Sequence, residues 1–68
     1  MQNTIKIERA ILGITQEELA DQIGVSRQTI NSIEKNRYVP STVLSIRISE
    51  VFGKTVNEIF SLEEVDKC

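Results

Sequence analysis

Between Arg27 and Ser32 the chain sets out Arg27, Gln28, Thr29, Asn31 and Ser32, interrupted only by Ile30. Each of these polar side chains donates hydrogen bonds, accepts them, or does both. None is a nucleophile with a base beside it. The chain has no histidine, and its single cysteine, Cys68, is the last residue. No glycine-rich loop suited to phosphate and no Cys/His spacing suited to a metal occurs. Covalent, acid–base and metal chemistry therefore lack candidates, so no catalytic activity and no cofactor is expected. The chemistry on offer is recognition through hydrogen bonds. Recognition of that kind needs a rigid element that keeps these groups on one side.

Short helices are the elements the sequence supplies. Ser26 is a good N-cap, and a helix runs from Arg27 to about Lys35 with Ile30 and Ile33 inward. Before it, Thr15-Gln16-Glu17-Glu18 fits a capping box, opening a helix that ends near Ile23 with Leu19, Ala20 and Ile23 on its inner stripe. Gly24 begins a three-residue turn between the two. The chain reverses there, so Gly24 is expected at positive φ, with Val25 packing down as a plug. An earlier helix covers about Thr4 to Leu12, its apolar stripe marked by Ile7, Ala10, Ile11 and Ile14, and Gly13 ends it. Ile5 and Ile7 also alternate, which leaves a short strand before that helix open. Asn36 suits a left-handed cap. Ser41 or Thr42 then starts a fourth helix with Leu44, Ile48, Val51 and Phe52 in register, stopped by Gly53. Thr55-Val56-Asn57-Glu58 is a second capping box, starting a short fifth helix that buries Val56, Ile59 and Phe60. The tail from Ser61 either pairs with the N-terminus as a short strand or frays.

With 68 residues the chain is expected to be one domain, near the lower limit of independent stability. A partner subunit would help such a small core. Cys68 is expected as a free thiol. No apolar run approaches the ~20 residues that span a bilayer, and no signal peptide is evident, which places the chain in the cytoplasm. The net charge is −2, but it is unevenly spread: residues 1–25 carry −2, residues 26–54 carry +3 and residues 55–68 carry −3. The positive stretch, Arg27 to Lys54, is the one expected to face an anionic partner, with the acidic ends turned away.

The run from Thr15 to Glu34, the loop Lys35-Asn36-Arg37-Tyr38-Val39-Pro40-Ser41, the Phe52-Gly53 helix end and Asn57-Glu58-Ile59-Phe60 together resemble the Cro/repressor (Xre-type) helix-turn-helix family. The resemblance covers about Ile5 to Phe60. It implies an all-α, compact five-helix, lambda-repressor-like DNA-binding domain, with a helix-turn-helix unit at about residues 16–35. Carried over residue by residue, it implies base contacts from Arg27, Gln28, Thr29 and Ser32. Gln28 would suit adenine, and Arg27 guanine or phosphate. Gln16, at a helix start, would meet a phosphate. Asn31 would lie at the margin of that surface, in reach of backbone or base. Lys35, Arg37, Tyr38 and Ser41 would meet the sugar-phosphate backbone. Arg9 and Glu34 match a charge pair linking the first and third helices, and Glu8 stands where many relatives have an apolar residue.

The resemblance thus implies a transcriptional regulator of double-stranded DNA, more specifically a homodimeric repressor of an inverted-repeat operator, with neither a membrane nor a small-molecule partner. Without the surrounding motif the polar face of residues 27–32 would read as a solvated helix surface. An alternative from another class is an antitoxin-like or adaptor module whose main partner is a protein.

Overall fold

The computed structural model describes residues 1–67; Cys68, read above as a free thiol, lies outside the described residues. In chain order the elements are β1 (Gln2–Asn3), α1 (Ile5–Leu12), α2 (Gln16–Ile23), α3 (Arg27–Glu34), α4 (Thr42–Phe52), α5 (Val56–Ile59) and β2 (Phe60–Ser61), followed by a 3-10 turn at Glu64–Asp66. The fold is all-α apart from the single strand pair, as the family resemblance implies.

Helix ends sit where side chains replace missing backbone partners. Thr15 Oγ1 accepts from the Glu18 N–H at 3.0 Å, and Glu18 Oε1 accepts from the Thr15 N–H at 3.0 Å. Thr55 and Glu58 repeat this reciprocal pair ahead of α5, at 3.3 and 2.9 Å. Each box satisfies two donors that a helix start leaves orphaned. Ser26 and Ser41 cap α3 and α4 through their hydroxyls. At the other ends, Gly13, Gly24 and Gly53 all take left-handed conformations, and so does Asn36.

The core is built from all the helices. Ile5, Leu19, Ile23, Ile30, Ile33, Ile48 and Ile59 are fully buried. Each such side chain contributes about 1.5–3 kcal/mol of transfer free energy. Val25 is half-buried against this cluster, as the plug of the turn. β1 and β2 pair antiparallel, Gln2 opposite Ser61 and Asn3 opposite Phe60. This is the terminal pairing the sequence left open. The strand suggested by the Ile5/Ile7 alternation does not form, because both residues lie inside α1.

The inner face of α1 differs from the one its spacing suggests. Ile7 and Ile11 are 61% and 69% exposed, whereas Ile5 and Glu8 are buried. Ala10 is exposed as well. Long-range bonds set the roll of the helix. Thr4 N–H donates to the Ile59 carbonyl at 2.9 Å, tying the helix start to α5. Glu8 can turn inward because Lys54 Nζ reaches its Oε2 at 2.8 Å. That hydrogen bond to Glu8 raises the Lys54 pKa, as expected for an ammonium that gains an anionic partner.

Candidate nucleic-acid interface

The polar residues of α3 are presented outward by the turn that precedes them. Gly24 has φ +73°, which a glycine adopts without the side-chain clash of other residues. Val25 N–H donates to the Ala20 carbonyl at 3.0 Å, closing the turn. Arg47 of α4 donates from Nη1 to the Ile23 carbonyl at 3.2 Å, satisfying the end of α2. A Cβ built on Gly24 would meet that Nη1 at an ordinary 3.8 Å. The requirement for glycine is therefore conformational and not one of space.

With Ile30 and Ile33 sealed in the core, Arg27 and Gln28 are exposed, and Thr29, Asn31 and Ser32 are half-buried. Lys35, Arg37 and Tyr38 are exposed beyond the helix. Gln28, Thr29, Ser32, Arg37 and Tyr38 line one open hollow of about 380 Å³. The α3 face and the loop after it are thus brought together. Arg27 and Gln16 share a second hollow of about 520 Å³ with Arg9, Ile14, Thr15 and Glu17. Asn31, Lys35 and Ser41 line neither hollow. The Ser41 hydroxyl accepts from Leu44 N–H at 3.1 Å as the cap of α4. The Thr29 hydroxyl lies 3.0 Å from that of Ser26, so part of its hydrogen-bonding capacity is used within the helix start.

Beneath this face runs a network of charged and amide groups. Arg9 grips Glu34 through two parallel bonds, Nε to Oε2 at 2.6 Å and Nη2 to Oε1 at 3.0 Å. The Arg9 and Glu34 side chains are 15% and 7% exposed. The hydrogen bond to Glu34 raises the Arg9 pKa, so the guanidinium stays charged. Arg9 Nη1 also donates to the Ile14 carbonyl at 3.2 Å. Gln16 Nε2 donates to Glu34 Oε1 at 3.2 Å and to Asn31 Oδ1 at 3.3 Å. The end of α1, the start of α2 and the end of α3 are locked together at this point.

The positive stretch of residues 26–54 divides. Arg47 and Lys54 serve the turn and Glu8, so they do not join the outward face. Arg27, Lys35 and Arg37 are the basic residues left beside it. Asn3 is a positioning residue that sequence reasoning missed. Its Nδ2 donates to the Ile33 carbonyl at 2.8 Å and to Asn36 Oδ1 at 3.2 Å, while its Oδ1 accepts from Ile5 N–H at 3.2 Å. No local signal marks it, because its main partner lies 30 residues away. Among the described residues no group of three or more His, Cys, Asp or Glu side chains is placed to hold a metal ion. No helix of the described residues is long and apolar enough to cross a membrane.

Comparison with known proteins agrees with this geometry. Residues 5–59 match a family model described as helix-turn-helix. An uncharacterized HTH-type transcriptional regulator of Methanocaldococcus jannaschii is 47% identical over 64 residues, covering 94% of this chain and 97% of its own. A second, of Methanothermobacter thermautotrophicus, is 48% identical over 65 residues, covering 94% of each chain. The uncharacterized HTH-type transcriptional regulator YgzD of Bacillus subtilis is 44% identical over 64 residues, covering 94% of this chain and 97% of its own.

Proposed function

Because this chain belongs to the Xre-type helix-turn-helix family, we propose that it is a sequence-specific regulator of transcription: a repressor that binds an inverted-repeat operator in double-stranded DNA as a homodimer. In this reading residues 1–68 form one domain working in the cytoplasm. The observation that carries it is the exposed polar face of α3, propped outward by the Gly24 turn and continuous with Arg37 and Tyr38.

α3 enters the major groove, as the second helix of such a unit does. Arg27, Gln28, Thr29 and Ser32 meet base edges. Gln28 is exposed and free to pair both its amide atoms with adenine. Lys35, Arg37, Tyr38 and Ser41 meet the backbone, which fixes register without reading sequence. Gln16 meets a phosphate through its main-chain N–H, an unpaired donor in the first turn of α2, because its side-chain donor is spent on Asn31 and Glu34. Two α3 helices related by a two-fold axis then read successive major grooves about 34 Å apart. A largely apolar hollow of about 550 Å³ lined by Met1, Val56, Asn57, Phe60, Ser61, Leu62 and Lys67, with Val65 exposed on the tail, supports a second copy seated at α5 and the termini. Bound over a promoter, such a dimer represses by occlusion.

In vitro selection of DNA sites, followed by comparison of Gln28→Ala on the selected sequence, tests this reading. A loss of about 1–3 kcal/mol confined to one base position is expected. Failure to bind any DNA at low salt removes it. The outward Ile7, Ile11 and Leu12 of α1 favour a second reading, in which that face docks a partner protein of the antitoxin or adaptor kind. That reading requires Ile7→Gln/Ile11→Gln to abolish partner binding while leaving DNA binding intact.

A further inference from the structure

The network under α3 fixes which way two side-chain amides point. A carboxylate offers only lone pairs, so the Gln16 atom facing Glu34 Oε1 at 3.2 Å must be the nitrogen. That same nitrogen sits 3.3 Å from Asn31, so the Asn31 atom facing it must be the carbonyl oxygen. Turning Gln16 over would set its Oε1 against the carboxylate. Turning Asn31 over would set two NH2 groups against each other. The anchor is the bidentate hold of Arg9 on Glu34, whose side chain is more than nine-tenths buried. Orientation therefore passes from Arg9 to Glu34, to Gln16 and to Asn31.

The result is an asymmetric group on the outward face. Asn31 lies three and four residues after Gln28 and Arg27, hence on their side of the helix. Its Oδ1 is held by Gln16. Its Nδ2 has no hydrogen-bond acceptor among the described residues and is not sealed from solvent. Resting on the DNA-binding reading above, we infer that Asn31 is a specificity-determining residue that presents N–H groups alone to the major groove. An asparagine with both amide atoms free matches adenine, which shows an acceptor and a donor. One that shows only its NH2 group pairs with acceptors, of which guanine offers two, N7 and O6, against one each on adenine and thymine, and it disfavours cytosine, which shows a donor. Of the backbone and base contacts left open for Asn31, this selects base readout, and the Gln16 side chain becomes its positioning residue.

Site selection with the full chain tests this through Asn31→Asp and Gln16→Met, with a thermal melt of each variant as the fold control. The wild type is expected to prefer guanine and to reject cytosine at one position. Asn31→Asp, which replaces the donor with an acceptor, is expected to lose that guanine by about tenfold and to gain cytosine at the same position. Gln16→Met frees Oδ1 and shifts that position from guanine towards adenine. Should Gln16→Met fail to fold, Asn31→Asp decides alone, since its carboxylate can still accept from Gln16. Wild-type binding with an unchanged base preference in the folded variants overturns the inference and leaves the regulator reading standing. Equal weakening on every sequence also overturns it, by making Asn31 a backbone contact. A wild-type chain that binds no DNA sinks the regulator reading itself, and this role of Asn31 with it.

Discussion

Replacing Arg9 with methionine leaves the Glu34 carboxylate in place without its cation. The Glu34 side chain is 7% exposed and would keep only the Gln16 amide as a donor. Removing one member of a buried ion pair costs about 3–5 kcal/mol. Arg9 is itself partly exposed, which lowers the expectation to roughly 2–4 kcal/mol. A chain of this size has a total stability of roughly 3–10 kcal/mol, so the loss is a large share of it. At about 4–8 °C per kcal/mol for small domains, the melting temperature should fall by about 8–32 °C. Thermal unfolding followed by circular dichroism measures this directly. Adding Glu34→Gln to Arg9→Met should recover part of the loss, because it removes the stranded charge. A melting temperature for Arg9→Met within about 3 °C of the parent would refute the reasoning. It would mean that water reaches the pair and that the pair does not join α1 to α3 energetically.

Gly24→Ala should destabilise by about 1–2 kcal/mol, from the left-handed backbone alone, read as a shift in urea midpoint; no change would mean the turn relaxes at no cost. Glu58 is held below the ordinary carboxylate value of 4.5 by the Thr55 backbone N–H, with the Thr55 hydroxyl and Lys54 adding to it. A depressed folded pKa gives stability that is present above the unfolded value and is lost as pH falls through the folded one. Glu58→Gln should therefore flatten the acid limb of the stability profile below about pH 4.5, and an unaltered limb would exclude the box as its source. Lys35→Gln should weaken DNA binding uniformly across sequences and reduce the slope of log affinity against log salt by about 1; an unchanged slope would remove Lys35 from the phosphate contacts.

The helix boundaries were legible because caps are local chemistry. A threonine three residues before a glutamate, or a glycine after an apolar stripe, carries its meaning within one turn of helix. The α3 face was legible for the same reason, since Ile30 and Ile33 leave only one side for the polar residues. The failure at α1 has a different origin. Its apolar residues fall on two sides, and spacing alone favours Ile7 and Ile11. The choice of Ile5 with Glu8 depends on Lys54, 46 residues further on, and on the Ile59 carbonyl. Arg47, counted with the positive stretch, and Asn3, marked by no local signal, each bond a carbonyl far along the chain.

The amino-acid order by itself determined where helices begin and stop, the two-helix turn, and the hydrophilic side of α3. Those follow from interactions between residues a few positions apart, whose geometry any helix supplies. Only the tertiary structure decided which side of α1 is buried, which cations remain at the surface, and which atom of Asn31 is held by Gln16. Each of these depends on groups brought together from distant parts of the chain, where a single hydrogen bond selects between alternatives that the local sequence leaves equal.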